Sequence, residues 1–425
     1  MSQTTQLLFK NRVPGKTVFF KDFCANGGYQ GLKTAIQTMS PLEIRDLVKA
    51  AALRGRGGAG FPTGVKWGFF PADKPGIKYL VCNCDEMEPG TYKDGVLLGA
   101  DPHQLVEGMI LSAFALQTQV GYIFIRYAYE KQAENLRRAI AEATQAGYLG
   151  KNILGSGFDF ELHVHGSAGR YILGEETALL NGLEGIRPNP RLKPPFPAVR
   201  GLFGQPTTVN NVETIANIPH IVTGGAQWFK DLALTPDGSG TKLFGLSGHL
   251  NRTECFELPV GISLREVIET YGQGMWKNKQ FKACLPGGAS TPFLTREHLD
   301  VALDFASLEK IGSRFGTAGV TAFDDDTCMV AVTLNLIRFF ARESCGWCTP
   351  CRDGLTMVRW ILEMLESGQG TPEHLEMLKD QLKNISGKSF CALAEGAMGP
   401  VAGLLTHFEQ EIVDHIKGGR CPFSK

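Results

Sequence analysis

The sequence predicts a multidomain α/β protein that ends in a helical bundle, and three observations carry this. From about residue 76 strand and helix patterns alternate. After Pro236-Asp237-Gly238-Ser239-Gly240 the composition shifts, and short strands surround one helix. From Cys328 onward helical patterns dominate. With 425 residues the chain is too long for one ordinary core, so about two to four domains are expected.

The elements follow in order. Residues 1–75 read as an irregular N-terminal region with one helix over 41–53 and a glycine-rich loop over 55–64. A domain over 76–238 alternates: strand 77–81, helix 103–116, strand 122–127, helix 130–146, strand 158–164 and helix 175–183. Ala133, Leu136, Ile140 and Ala143 share one face of helix 130–146. Alternation of this kind gives a parallel sheet covered by helices. The proline-rich stretch 187–197 interrupts it and reads as a ligand-covering loop. The next domain, 239–327, has strands at 243–246, 255–258 and 281–284 around a helix at 263–271. The last, 328–425, has helices at 328–342, 354–366, 372–384 and 396–416, which suit a four-helix bundle.

Composition excludes several classes. Lys plus Arg and Asp plus Glu number 43 each, so the basic excess of a general nucleic-acid binder is missing. Glycine, at 51 residues, exceeds the usual share of roughly 7%, while the apolar content stays high. That pattern suits tight turns and close backbone approach to ligands. Residues 1–6 lack a charged region leading into an apolar run, so no secretory signal is read. The longest apolar stretch, 105–125, is broken by Glu107, Gln117 and Gln119, and reads as a helix and a strand rather than a membrane span. Eleven cysteines, an odd number, imply a reducing compartment with metal ligands or free thiols.

Cys345-x2-Cys348-x2-Cys351 is the most specific motif. Three thiols this close can grip three irons of a [4Fe–4S] cube, which moves single electrons. Cys391 and Cys421 are the candidates for fourth ligand. Cys421-Pro422 lies in a short tail, whereas Cys391 stands at the start of the last predicted helix, within the bundle, and is preferred. A tetrahedral zinc site is the alternative, but zinc sites usually pair two Cys-x2-Cys units. Cys24, Cys82, Cys84, Cys255, Cys284 and Cys328 are scattered and read as small buried hydrophobes.

Three further segments suggest ligand contact. Gly55-Arg56-Gly57-Gly58-Ala59-Gly60 follows a helix instead of a strand, so it fails the dinucleotide fingerprint. Its bare amides can still approach a flat ring or a phosphate. Arg54, Arg56 and Lys66 can add positive charge, and Phe61, Trp67 and Phe69 can stack; a structural turn is the plainer reading. Gly169-Arg170-Tyr171-Ile172-Leu173-Gly174-Glu175-Glu176-Thr177 leads into a helix whose N-terminus can meet an anion. Its two carboxylates can bond sugar hydroxyls or simply cap the helix. Cys82-Asn83-Cys84-Asp85-Glu86-Met87-Glu88-Pro89-Gly90 follows a strand's carboxyl end, where ligands collect in open α/β sheets, unless it is a solvated acidic turn. Gly387-Lys388-Ser389 is no P-loop, because the required first glycine falls at Leu382.

Taken together, segments 54–64, 82–94, 169–180, 193–197, 210–214 (Asn210-Asn211-Val212-Glu213-Thr214) and 343–354 resemble the NADH-binding flavoprotein subunits of respiratory complex I, the 51 kDa subunit family. The resemblance spans nearly the whole chain, with motifs in order. It implies a Rossmann-like FMN domain, a small β-grasp domain and a bundle holding one [4Fe–4S] cluster. It implies that FMN lies against Gly55, Arg56, Gly57, Lys66, Asn83, Asp85, Gly174, Glu175, Glu176, Asn210 and Asn211, with Gly58, Gly60 and Gly64 in the same loop. NADH is then flanked by Phe61, Phe69, Glu86, Glu88, Tyr171, Glu176, Lys193 and Phe196, and the cluster held by Cys345, Cys348, Cys351 and Cys391. The implied activity is NADH oxidation by direct hydride transfer to FMN, with no catalytic side chain. Expected partners are a small [2Fe–2S] subunit and a large multi-cluster iron–sulfur subunit, on the cytoplasmic side of the inner membrane, with no membrane insertion. Glu86, Glu175 and Glu176 are expected to repel the extra phosphate of NADPH. One departure stands out: Cys84 occupies a position where the family pattern suggests Ala or Gly, and is expected to be an inert filler.

The nearest alternative is a diaphorase subunit of an NAD-linked hydrogenase or formate dehydrogenase. Such subunits often append further ferredoxin-like cysteine clusters; none occurs here, and Trp347 within the motif also favours the complex I reading. A non-catalytic metal-binding scaffold is the alternative of another class, and the intact flavin and nucleotide motifs weigh against it.

Overall fold

The computed structural model describes residues 5–424; segment 1–4, part of the stretch read as lacking a signal, lies outside the described residues. The chain forms two compact units. One takes in residues up to Met87, then Tyr92–Phe244 and Glu257–Gly261. The other takes in Glu88–Thr91, Gly245–Phe256 and everything from Ile262 onward.

The first unit is built on four parallel strands: β1 (Tyr79–Cys84), β2 (Val120–Ile125), β3 (Glu161–Gly166) and β4 (Thr207–Asn211). Their order is β3-β2-β1-β4. β1 is central, paired with β2 from Tyr79↔Val120 to Cys84↔Ile125 and with β4 from Tyr79↔Thr207 to Asn83↔Asn211. The three predicted strands are present with shifted ends. β4 is an addition, because Thr207-Thr208-Val209-Asn210-Asn211 is too polar to announce a strand and is held by pairing with β1.

Helices cover the sheet as the alternation requires. Helix Pro102–Leu116 is buried on nearly every face, which fits its lack of a polar stripe. Gly108 is required there, since a Cβ would run into the Ile215 carbonyl. Helix Glu130–Gln145 buries Ala133, Leu136, Ala139 and Ala143 and leaves its charged face to solvent. Val81, Phe124, Leu173, Leu179, Leu180, Leu202 and Val209 form one core cluster with helix Glu176–Leu183.

The N-terminal region is more regular than its sequence suggests. Helices Phe20–Ala25 and Gln30–Thr38 precede Pro41–Ala50. Only the last carries a legible start: Ser40 accepts from the Glu43 amide (3.3 Å), Glu43 accepts from the Ser40 amide (2.7 Å), and Pro41 opens the helix. Helix Gln30–Thr38 takes its N-terminal partner from far away, as the buried Glu107 carboxylate accepts from the amides of Tyr29 (3.0 Å) and Leu32 (3.2 Å).

The chain enters the second unit within β5 (Thr241–Gly248). With β6 (Cys255–Pro259), β7 (Phe281–Leu285), β8 (Leu294–Thr295) and β9 (Gly319–Asp324) it forms a mixed sheet in the order β6-β5-β9-β7-β8. The helix expected over 263–271 starts as Leu264–Glu266, capped by Ser263, and continues as a π-helical turn, Val267–Tyr271. Helix Met329–Glu343 packs on Gly354–Glu366 and on Ala392–His407, and Pro372–Ile385 packs on the same two. The last predicted helix is in fact two, Ala392–His407 and Glu409–Gly418, because Phe408 leaves helical geometry (φ −135°). Among the described residues no helix is long and apolar enough to cross a membrane.

Candidate functional site

The strand order places a switch point in the first unit. The chain builds outward from β1 to β2 and β3, then returns to lay β4 on the other side of β1. Ligands of open α/β sheets bind outside the strand carboxyl ends at such a point. β1 ends in Asn83-Cys84 followed by Asp85-Glu86, and β4 ends in Asn210-Asn211.

Several sequence-predicted residues meet here. Asn83 Nδ2 donates to the Gly174 carbonyl at 3.0 Å, and its Oδ1 accepts from the Asp85 amide at 3.1 Å. Asn211 Nδ2 donates to Asp94 at 2.6 Å, and its Oδ1 accepts from Lys93 Nζ and caps helix Val212–Ala216. Lys66 Nζ donates to Glu176 and to the Val209 carbonyl, both at 2.8 Å. Lys193 bridges Glu175 (2.9 Å) and Glu176 (3.0 Å). Burial alone would raise the Glu176 pKa, but Lys66 and Lys193 outweigh it and hold the carboxylate ionised.

Arg191 pins the proline-rich loop to helix Glu176–Leu183. Its Nε donates to Asn181 Oδ1 (2.7 Å), and its guanidinium pairs with Glu184 (2.8 Å). That loop carries Lys193 and the exposed Phe196.

Asp85 bears most directly on ligand binding. Its Oδ1 accepts from Ser167 Oγ at 2.8 Å, whereas Oδ2 is buried with no hydrogen-bond partner. Burial pushes its pKa up to about 6, against the Ser167 hydrogen bond and the Arg126 charge. A buried carboxylate oxygen left unpaired is costly, and a hydroxyl donor from a ligand would satisfy it.

The glycine loop folds on itself. The Gly55 amide donates to the Phe61 carbonyl (2.9 Å), and Arg54 Nε donates to the Gly60 carbonyl (2.8 Å). Gly58 (φ 120°) and Gly60 (φ 66°) hold turns that a side chain would strain. At Gly57 a Cβ would press on Asn211. Gly64 has a packing role, because a Cβ would collide with the Lys49 backbone. Phe61 and Phe69 are exposed on either side of helix Thr63–Gly68.

Some expected ligand groups have other partners. Arg56 is 1% exposed and donates to the Ser239 carbonyl at 2.7 Å, so it is a strut rather than a free charge for phosphate. Trp67 is fully buried with its Nε1 on Asn210 Oδ1 (3.0 Å), which removes it as a stacking ring. Glu86 accepts from the amides of Asp94 and Gly95 and from the Tyr129 hydroxyl, capping helix Lys93–Ala100, and burial raises its pKa to about 7. Glu175 caps helix Glu176–Leu183 through the Thr177 and Ala178 amides. Tyr171 opens the short turn Tyr171–Gly174 before that helix. Glu88 belongs to the second unit, where it accepts from the Ser290 amide at 2.7 Å.

Cys84 is wholly buried at the end of β1, and burial pushes its thiol pKa well up. A thiol so held is unreactive. Cys84→Ala therefore keeps flavin content and NADH oxidation near the unsubstituted level; loss of most of the flavin by fluorescence assay would show a ligand role instead.

In the second unit the motif cysteines are brought together with Cys391. Cys348 precedes the one-turn helix Thr349–Arg352, which contains Cys351, and Cys391 immediately precedes helix Ala392–His407. The Phe390 amide points at Cys348 Sγ (3.5 Å) and Cys351 Sγ donates to Ser344 Oγ (3.2 Å). Burial pushes the Cys351 thiol up to about 12, with Cys348, Cys391 and Cys345 adding to the rise and Ser344 opposing it. None of the four is in a disulfide. Four thiols within electrostatic reach, two of them at helix N-termini, suit a cationic iron centre that stabilises them as thiolates.

Comparison with known proteins agrees with this geometry. The family described as Nuo51 FMN-binding domain matches residues 48–220, and the NADH-ubiquinone oxidoreductase-F iron-sulfur binding region matches residues 331–415. The NADH-quinone oxidoreductase F-subunit of Escherichia coli (strain K12) is 52% identical over 424 residues, covering 99% of this chain and 94% of that protein. The chain belongs to the NADH-quinone oxidoreductase F-subunit family.

A second such F-subunit, numbered 2, from Rhizobium meliloti (strain 1021), is 50% identical over 402 residues, with 94% of each chain covered. Among solved structures, an NAD+-reducing [NiFe]-hydrogenase in the H2-reduced state superimposes with a TM-score of 0.83 at 34% identity, over 93% of this chain. This chain spans only 65% of that hydrogenase chain. In this member of the F-subunit family the crevice also contains residues that no sequence motif singled out. Ser167 orients the predicted groups from beside a motif, and Lys93, Asp94 and Arg191 do so from within segments 82–94 and 187–197, where nothing in the sequence gives them a role of their own.

Proposed function

We propose that the crevice at the carboxyl ends of β1 and β4 binds FMN and NADH, and that Cys345, Cys348, Cys351 and Cys391 hold the [4Fe–4S] cluster. As a member of the F-subunit family, the chain oxidises NADH and passes the electrons on singly, as the electron-input subunit of NADH:quinone oxidoreductase. The single observation that carries the crevice assignment is the buried, unpartnered Asp85 Oδ2 at the switch point, which calls for a hydroxyl donor such as a ribityl chain.

Flavin, when bound, supplies the conversion between two-electron hydride chemistry and one-electron transfer. The chain's own residues bind and orient. The backbone at Gly57, Gly58 and Gly60 offers close approach. Asn83, Asn210 and Asn211 supply amide groups already held in place. Glu176, kept ionised between Lys66 and Lys193, accepts from sugar hydroxyls, while Glu175 caps its helix and helps to hold Lys193. Phe61, Phe69, Tyr171 and Phe196 flank the nicotinamide nucleotide. No side chain needs to move a proton for hydride transfer.

The same reading divides the chain into 1–75, a Rossmann-like domain over 76–238, a β-grasp domain over 239–327 and a helical bundle over 328–425. The chain works with other subunits of a complex; a small [2Fe–2S] subunit and a large multi-cluster subunit are the proposed neighbours, at the cytoplasmic side of the inner membrane. The hydrogenase likeness favours a diaphorase role as the second reading, but the identity to the F-subunit proteins is higher.

The test is optical. In the anaerobic, flavin-loaded chain, NADH bleaches the flavin absorbance within the mixing time. NADPH does so at least about tenfold more slowly, the effect of ~1.4 kcal/mol of repulsion at the carboxylates. A spectrum untouched by NADH sinks the assignment.

A further inference from the structure

Four side chains outside the iron–sulfur motif converge in the second unit: Cys328, Glu366, His415 and Cys421. One ligand atom from each lies within 4.8 Å of the others. Cys328 Sγ is 3.4 Å from Glu366 Oε2 and 3.4 Å from His415 Nε2, and that nitrogen is 3.2 Å from the same carboxylate oxygen. They come from four places: the start of helix Met329–Glu343, the end of Gly354–Glu366, the last turn of Glu409–Gly418, and the segment after it.

Two features set this apart from a chance polar contact. The first is the tautomer. His415 Nδ1 faces the Glu411 carbonyl at 2.6 Å. A carbonyl only accepts, so Nδ1 carries the hydrogen, and Nε2 is the nitrogen that faces Cys328 and Glu366. A metal-bound histidine commonly has this second partner. Glu411 is itself fixed, its carboxylate accepting from the Met329 amide (3.0 Å) and pairing with Lys282 (2.6 Å).

The second is the sulfur. Cys328 stands at the N-cap of a 15-residue helix, and the Ala331 amide donates to its Sγ at 3.3 Å; burial and the neighbouring Glu366 raise the thiol pKa against that amide, so metal binding would release the thiol proton. His415 is fully buried and Cys328 nearly so.

We propose that Cys328, Glu366, His415 and Cys421 form a structural zinc site, separate from the cysteine set that holds the iron. Two sulfurs, an imidazole and a carboxylate are a zinc donor set; calcium and magnesium prefer all-oxygen shells. Zinc bonds of about 2.0–2.3 Å in a tetrahedron place ligand atoms roughly 3.3–3.8 Å apart. The 3.2–3.4 Å spacings among Cys328, Glu366 and His415 reach that with small side-chain movement, and Cys421, within 4.8 Å of the other three, has to draw in. The ion would clasp the segment after the last helix onto the ends of two others.

The experiment uses the full chain loaded with flavin and iron, incubated with zinc chloride and freed of excess by gel filtration. Zinc, iron and flavin are counted, and zinc X-ray absorption reports the donors. Roughly one zinc per chain with two sulfur neighbours is expected. In Cys421→Ser, a change in a partly exposed segment outside the helices, zinc drops by at least about tenfold while iron and flavin are unchanged. Iron-replete protein without zinc overturns the proposal. So does zinc retained in full by Cys421→Ser, or a chain lighter by two hydrogens with Cys328 and Cys421 joined as a disulfide.

Discussion

Replacing Cys391 by Ser leaves the flavin in place and strips the chain of its iron. Cys391 comes from a separate segment and is fixed at the start of helix Ala392–His407, in electrostatic reach of the buried Cys351. A serine hydroxyl is far harder to ionise than a thiol and is a poor soft ligand. Loss of an outer-shell partner alone costs about 10–100-fold in metal retention, and loss of a direct ligand costs at least as much. The expected Cys391→Ser chain oxidises NADH with a soluble acceptor that reaches the flavin, but delivers almost no electrons to quinone in the assembled complex. Cys421→Ser is the matched control and keeps full iron. The reverse pattern, iron lost with Cys421 and kept without Cys391, would falsify the ligand assignment.

Glu213→Gln is expected to destabilise the first unit by about 3–5 kcal/mol, the usual cost of removing one partner from a buried ion pair. Glu213 is completely buried, 2.6 Å from Lys242 Nζ and 3.1 Å from Lys93 Nζ, and accepts from the Leu243 amide at 2.9 Å. Its charge also offsets the buried Arg56. Burial pushes Lys242 down to about 8 even with this carboxylate beside it. For Lys93 burial is outweighed by Asp94, Glu213 and Glu86, so its pKa is raised and it stays charged. Glutamine keeps the shape and the amide hydrogen bond but leaves three cationic groups without their shared anion. Amide exchange in β1 and β4 reads the loss locally. Adding Lys242→Met to the same chain should recover part of it, because apolar replacement of a buried pair is far less costly than breaking it. Protection within about 1 kcal/mol of the unsubstituted chain in Glu213→Gln would show that the network carries no such load.

Much of this was legible in the residues. Strand–helix alternation from 76 pointed to the parallel sheet because burial on two faces and helical amphipathicity each leave a period in the sequence. The Cys345-x2-Cys348-x2-Cys351 spacing was readable because one turn of chain aims neighbouring thiols at a single centre. Strand β4 was not readable: its polar residues sit in a strand only through pairing with β1. Helix Gln30–Thr38 was missed for a similar reason, since its amides are satisfied by Glu107 from another helix. Arg56 and Trp67 looked like ligand groups because charge and aromatic surface beside glycines carry no mark of burial; their partners, Ser239 and Asn210, are distant in sequence.

Sequence by itself determined the class of the protein, its electron-carrying motif and the segments that gather at the crevice, since these depend on local spacing and order. Only the tertiary structure decided which groups are spoken for. It left Asp85 Oδ2 unpartnered, turned Glu86 and Glu175 into helix caps, and drew Cys421 to Cys328, His415 and Glu366. The physical reason is the same throughout. Burial and hydrogen-bond satisfaction are properties of neighbours in space, and a side chain's chemistry is set by what remains after those neighbours have been served.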